Sequence, residues 1–287
     1  MTPEPSERHA VSLVVGSDAA ELVADRLFTL GATAVSEEAV PGGVRLVADL
    51  DEHGLRELVD AGEPVEVLER RDTWDQGWRA HARTWRCGEH LVLRPAWLDP
   101  EPLAAGEVEV VVEPGCAFGS GSHPTTRLCL AAVERLVRPG ASVLDVGSGS
   151  GVLGVAAALL GAGRVDAIDV DPEAVRATDE VAGLNGVAEV VNASATPLGS
   201  VHGRYDLVLA NLLVPIIEDL GRQLVTRLAP GGTLVLSGLL VEHEQRALAA
   251  VAPLVAHRHH ELDGWIALEV RHPPTAATRG PRSDALG

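Results

Sequence analysis

The run Val143-Leu144-Asp145-Val146 reads as a strand, ends in Gly147-Ser148-Gly149-Ser150-Gly151, and leads into a helical run. Glycines let a backbone turn tightly and let a ligand approach without meeting a Cβ. The N-terminus of the following helix offers unpaired N–H groups and the positive end of its dipole, which suits a carboxylate or phosphate. The spacing Gly149-x-Gly151-x-x-Gly154 matches a dinucleotide fingerprint, a weak signal when taken alone. Two carboxylates argue for another ligand. Asp145, just before the glycines, would repel a pyrophosphate and help hold a positively charged amino group. Asp169 lies 24 residues further on, at the end of the next strand, where it can accept both hydroxyls of a ribose. S-adenosylmethionine carries an ammonium, a sulfonium and a ribose, and fits this set better than NAD does.

Each of these residues has a plainer reading. Asp145 would serve equally as a cap on the glycine turn, and Asp171 reads mainly as the N-cap of a helix begun by Pro172. Asn211 follows the strand Tyr205–Ala210 and opens Asn211-Leu212-Leu213. It either caps the next helix or points its carboxamide oxygen at an amine awaiting methylation. No side chain stands out as a dedicated base. Upstream, Phe118-Gly119-Ser120-Gly121-Ser122-His123-Pro124-Thr125-Thr126 reads as a mobile loop, a candidate lid, with Pro124 starting a helix. His257, His259 and His260 sit close in sequence, but strand alternation puts only His257 and His259 on one face. No metal site is expected.

Elements that would position these residues follow from periodicity. After Pro114 the chain alternates strands (Ser142–Val146, Val165–Val170, Val187–Val191, Tyr205–Ala210, Gly232–Ser237, Val255–His260, Trp265–Val270) with helices (Val152–Leu160, Pro172–Leu184, Val214–Leu228, Val241–Val251). Such alternation predicts an α/β, doubly wound, Rossmann-like sheet over residues 114–271. Residues 1–70 read β-α-β-β-α-β, the order of a small ferredoxin-like unit. Its strands are His9–Val15, Ala32–Ser36, Val44–Ala48 and Val65–Leu68, and its helices Asp18–Leu30 and Asp51–Ala61. Residues 71–113 form a Trp-rich connecting region, in which Trp74 and Trp78 would share a helix face. The tail, 272–287, is rich in Pro, Ala and Arg and is expected to be disordered.

Bulk properties narrow the partners. Of 287 residues, 46% are hydrophobic, so a full core is available. The net charge of -18 repels nucleic-acid backbones and favours a basic protein partner. All 23 basic residues are Arg, which reads as a compositional bias. Cys87, Cys116 and Cys129 match no metal or redox spacing and fit a reducing compartment. Neither an apolar signal core nor a bilayer-length run is present, so a cytoplasmic protein without membrane contact is expected.

Together these motifs resemble the bacterial ribosomal protein L11 methyltransferases. That family's loop Phe-Gly-Thr-Gly-Thr-His-Pro-Thr-Thr is Phe118 to Thr126 here, with Ser at two hydroxyl positions. Its Asp-x-Gly-x-Gly-Ser-Gly is Asp145 to Gly151, with Ser148 where Cys is frequent; its Asp-x-Asp-Pro is Asp169 to Pro172. Its Ala-Asn-[Ile/Leu]-Leu is Ala210 to Leu213, and Trp74, Trp78 and Arg94-Pro95-Ala96-Trp97 look like its linker. The turn and strand Pro230 to Leu236 also resemble methyltransferases generally. The resemblance covers about residues 72–270. It implies a class I methyltransferase domain that adds methyl groups to Lys side chains and the N-terminal amine of a ribosomal protein. A ferredoxin-like domain would recognise that protein. By matching position, Thr126, Gly147, Asp169 and Asn211 would contact S-adenosylmethionine, alongside Asp145, Gly149 and Gly151, and Asn211 would orient the amine. A monomer is expected. The competing readings are methylation of another protein lysine or a small amine, an NAD-dependent oxidoreductase, and a non-catalytic binding module.

Overall fold

A computed structural model of the chain describes residues 8–16, 23, 26, 27, 30–32, 35–68, 83–113 and 123–273. These fall into two compact units that meet in sequence between Arg83 and Thr84. Trp74, Trp78, Cys116, most of the first predicted helix, the first five residues of the candidate lid and the tail from residue 274 lie outside the described residues.

The first unit holds β1 (Arg8–Val15), β2 (Val35–Val40), β3 (Gly43–Asp51), α1 (Glu52–Asp60) and β4 (Glu66–Val67). The sheet order is β2-β3-β1-β4, and every pairing is antiparallel. Alternation in β1 and β3 drives one face inward: Val11, Leu13, Leu46, Ala48 and Leu50 form a core with Leu27 and Leu58. Asp51 caps α1 by accepting from Gly54 N–H at 2.8 Å. The strand order is the one a β-α-β-β-α-β chain forms when it folds as a split β-α-β unit.

The second unit opens with β5 (Trp85–Cys87), β6 (Leu91–Pro95) and β7 (Val108–Val112), a small sheet of its own in the order β5-β6-β7. Arg94 on β6 grips Glu109 on β7 through two hydrogen bonds of 2.9 Å and donates to Leu98 O, which fixes the turn after β6. Next come α2 (Pro124–Leu136), β8 (Ser142–Val146), α3 (Val152–Leu159), β9 (Arg164–Ile168), α4 (Pro172–Leu184), β10 (Val191–Ser194) and β11 (Tyr205–Asn211). They are followed by α5 (Val214–Arg227), β12 (Leu228–Leu240), α6 (Glu244–Ala250), β13 (Val255–Leu262) and β14 (Trp265–Arg271).

The large sheet has the order β10-β9-β8-β11-β12-β14-β13. The first five strands pair in parallel, and β14 is antiparallel to both its neighbours. A dinucleotide fold orders its strands 3-2-1-4-5-6; here the last two form a hairpin that inserts the seventh strand between the fifth and sixth. Helices cover both faces. Val143, Val165, Leu207, Leu209 and Val235 point to the side of α2, α3 and α4, whereas Leu144, Val146, Val208, Ala210 and Leu234 point to α5 and α6.

In the first unit, the strand expected at Ala32–Ser36 is Val35–Val40, and three elements of the second unit also differ from expectation. The third parallel strand is Val191–Ser194, four residues later than the pattern Val187–Val191 suggests. It is an edge strand carrying Asn192 and Ser194, while Val187 and Val190 pack on the core from the preceding turn. Pro230–Gly232 sits inside β12 as a bulge, where the partner jumps from Leu228 to Thr233. The predicted helix Val241–Val251 begins as a 3₁₀ turn, Val241–His243.

Asn185, at the end of α4, pairs with the edge of β7 as a strand would: its Oδ1 accepts from Val111 N–H at 2.8 Å and its Nδ2 donates to Val111 O at 2.6 Å. Asn185→Ala is expected to lower unfolding free energy by about 1–2 kcal/mol, read by urea denaturation, because two backbone groups lose partners.

Candidate cofactor and acceptor site

Parallel register brings the predicted residues together. Ile168, Val146 and Ala210 occupy one paired row across β9, β8 and β11. One residue further on, at the carboxyl ends of these strands, stand Asp169, Gly147 and Asn211, and Asn211 pairs laterally with Ser237 of β12. Neighbouring strands lie about 4.8 Å apart, so a carboxylate, an open glycine backbone and a carboxamide line one crevice. Open α/β sheets bind their ligands there.

The glycine loop is held by the β9–α4 side. Ile168 O accepts from Gly147 N–H at 2.8 Å and Ser148 N–H at 3.1 Å, and Gly151 N–H closes a turn onto Ser148 O at 2.7 Å. Asp169 Oδ2 accepts from Gly149 N–H at 2.9 Å, while Oδ1 accepts from Asp171 N–H at 3.0 Å. Asp171 caps α4 through Glu173 N–H at 2.9 Å, as read from sequence. Gly147, Gly149 and Gly151 have φ of 72°, 53° and 77°, a region that L side chains rarely adopt. Space agrees with backbone here. A Cβ on Gly151 would lie 2.8 Å from Thr178 Cα, and one on Gly147 would lie 2.4 Å from Leu212 Cδ2.

Asp145 is 1% exposed, and its Oδ2 accepts from Gly154 N–H at 3.0 Å. The N-cap of α3 is Gly151, which has no side chain to satisfy the first turn. The preceding strand supplies the missing acceptor, so Asp145 shapes the loop from beneath. Burial pushes its pKa up to about 7; the Gly154 hydrogen bond pulls it down and the negative charge of Asp169 pushes it up.

Asn211 does not cap α5: the N-cap is Leu213, without a side-chain hydrogen bond. Its Oδ1 is buried and unpartnered among the described residues. Thr126, 1% exposed in the first turn of α2, carries a second such oxygen. One turn along, burial pushes the Cys129 thiol up to about 12, with smaller influences from Ser237 and the negative charge of Asp145, which places this face of α2 beside β12 and β8. Two orphaned buried oxygens beside the Asp169–Gly147–Asn211 row are what a site awaiting a polar ligand requires, since such atoms are otherwise costly.

His123 caps α2: its Nδ1 accepts from Thr125 N–H at 3.3 Å and from Thr125 Oγ1 at 2.8 Å, so its proton sits on Nε2. The ring packs edge-on against Trp265 at 4.8 Å, and burial drives its pKa down to about 4, leaving it neutral. The other histidines separate. His260 turns to Glu269 (3.2 Å), which also pairs with Arg135 on α2, and His259 faces Glu244 at 3.4 Å. No metal-binding cluster occurs among the described residues. Cys87 and Cys129 are free and buried.

Sequence reading missed Thr178. This fully buried residue on α4 donates to Gly149 O at 3.2 Å and contacts Ser148 Oγ at 3.1 Å. Buried positions 174, 178, 181 and 182 follow helical spacing, so the inward face was legible. A polar group on that otherwise apolar face was the available signal.

The family model described as Ribosomal protein L11 methyltransferase (PrmA) matches residues 44–273. The chain belongs to this family. It is 43% identical over 217 residues to the Ribosomal protein L11 methyltransferase of Citrifermentans bemidjiense, covering 73% of this chain and 70% of that one. Its identity to the protein of that name from Symbiobacterium thermophilum is 41% over 235 residues, 80% of this chain and 76% of the relative. The crystal structure of ribosomal protein L11 methylase from Lactobacillus delbrueckii subsp. bulgaricus is 33% identical with a TM-score of 0.60, covering 66% of this chain and 98% of that one. The protein is thus an S-adenosylmethionine-dependent methyltransferase with a class I, Rossmann-like fold, and the dinucleotide reading falls away. Among the described residues no helix is long and apolar enough to cross a membrane.

A pH test isolates Asp145. Its folded pKa, about 7, lies above the unfolded carboxylate value. Between about pH 4 and pH 7 the folded state keeps a proton that the unfolded chain has released, so this group costs stability as pH rises through that window. Asp145→Asn keeps an acceptor for Gly154. Relative to wild type it should gain roughly 2–4 kcal/mol between pH 4.5 and pH 8, measured by urea unfolding at both values. An equal difference at the two pH values would contradict the assignment.

Proposed function

We propose that the enzyme methylates Lys side chains and the N-terminal amine of a basic ribosomal protein of the large subunit, the one that its relatives' names specify as L11. In this reading S-adenosylmethionine lies over the row Asp169–Gly147–Asn211. Asp169 takes the ribose hydroxyls, the backbone of Gly147, Gly149 and Gly151 lets the ligand approach, and Thr126 and Asn211 supply the free acceptors. Asp145 supplies the loop's shape and negative charge beneath a cationic ligand. The observation that carries the reading is the pair of buried oxygens that have no partner among the described residues, Thr126 Oγ1 and Asn211 Oδ1. Residues 1–70 are assigned to substrate recognition, and the net charge of -18 suits a basic partner in the cytoplasm.

The cofactor, when bound, supplies an electrophilic methyl group on a cationic sulfur. What the chain must do is present an amine with its lone pair free and in line. A Lys ammonium has a reference pKa near 10.4, so losing its proton costs about 4–5 kcal/mol at neutral pH; an α-amine near 7.7–8.0 costs far less. A low-dielectric crevice next to a sulfonium disfavours the ammonium. Asn211 Oδ1 accepts an N–H of the neutral amine and leaves the lone pair directed away from the carboxamide. No side chain needs to act as an essential base.

Two measurements test this. Incubation with purified large-subunit proteins and labelled cofactor, followed by mass spectrometry, should place the label on Lys and N-terminal amines of L11; label on a different protein would overturn the substrate. Asn211→Ala should cut kcat by roughly 10²-fold, and full activity with unchanged cofactor binding would remove its role.

A further inference from the structure

We infer that Thr178 is a positioning residue for the cofactor, acting through the Gly149 peptide; the inference rests on the cofactor site proposed above. That peptide unit is where the loop's orientation is decided. Its carbonyl accepts from Thr178 Oγ1 at 3.2 Å, and the N–H of the same glycine donates to Asp169 Oδ2 at 2.9 Å. Gly149 is therefore gripped on both of its backbone groups, once by the residue assigned to the ribose and once by α4.

The single hydroxyl proton of Thr178 goes to Gly149 O, so the 3.1 Å contact with Ser148 Oγ runs the other way, Ser148 donating to Thr178. The result is a short relay, Ser148 to Thr178 to Gly149. Thr178 is 0% exposed and Ser148 7%, so water cannot replace either hydroxyl. A trans peptide points its C=O and N–H in opposite directions. Fixing Gly149 O toward α4 therefore aims Ser150 N–H away from α4. The left-handed φ of 53° at Gly149 leaves this peptide free to swing when nothing holds it. The methyl of Thr178 has a separate, structural part: Cγ2 lies 2.7 Å from where a Cβ on Gly151 would be, so it fills the space that the glycine leaves. Hydroxyl and methyl can thus be tested apart.

Thr178→Val keeps the shape and removes the hydroxyl. By calorimetry, its affinity for S-adenosylhomocysteine should fall about tenfold, as for one lost buried hydrogen bond. KM for the cofactor should rise in parallel, kcat at saturation should stay near wild type, and Thr178→Ser should restore most of the affinity. A purely structural threonine would lower the melting temperature and leave affinity and the KM–kcat split unchanged. Ser148→Ala removes only the outer hydroxyl and should give an intermediate loss, which reads the same relay if Thr178→Val does not fold. Wild-type affinity in Thr178→Val, or in Ser148→Ala where the valine variant fails to fold, overturns the inference alone. Absence of binding by the wild-type enzyme overturns the site on which it rests.

Discussion

The parallel pairing of β9, β8 and β11 is the constraint on which everything else in the second unit depends. Because side chains alternate along a strand, the row Ile168–Val146–Ala210 is committed to the α5–α6 face. The next row, Asp169–Gly147–Asn211, then belongs to the opposite side, where α2 brings Thr126. A one-residue slip in any of the three strands would turn one member of the set into the apolar layer. Register, fixed by the hydrophobic pattern of the strand interiors, thereby places polar groups that contribute nothing to that pattern.

The same site shows how a buried charge is tolerated. Taking Asp145 out of water is unfavourable, as its raised pKa records. Part of that cost is offset by Gly154 N–H, a first-turn amide of α3 that would otherwise have no acceptor. Helix, glycine turn and carboxylate form one unit: Gly151 makes the turn that lets α3 start so close to β8, and it leaves no side chain with which to cap it. The loop's other supports come from β9 and α4, so the geometry presented to a ligand is set by two neighbouring β–α turns together.

Much of this was legible from sequence. Asp145, the glycines and Asp169 announce themselves because a strand, a turn and a helix follow one another at short range, and Asp171-Pro172 is a cap signal whose bond is present. Asn211 was legible as a place but not as a role; only the structure shows that Leu213 occupies the cap position. Thr178 escaped because it lies 30 residues from Ser148 in sequence and meets it only through packing of α4. The strand β10 was misplaced for a related reason. An edge strand with polar side chains carries a weak periodic signal, and the valines just before it, Val187 and Val190, are half-buried against the core for tertiary reasons.

Family membership and the row Asp169–Gly147–Asn211 at the strand ends support one proposal: this row seats the cofactor, and the buried oxygens of Thr126 and Asn211 take its polar groups. A crystal structure of the enzyme with S-adenosylhomocysteine tests this most directly. The account predicts the ribose hydroxyls on Asp169 and new hydrogen-bond partners for Thr126 Oγ1, Asn211 Oδ1 or both. The product seated away from that row, with both oxygens still unpartnered, would contradict it.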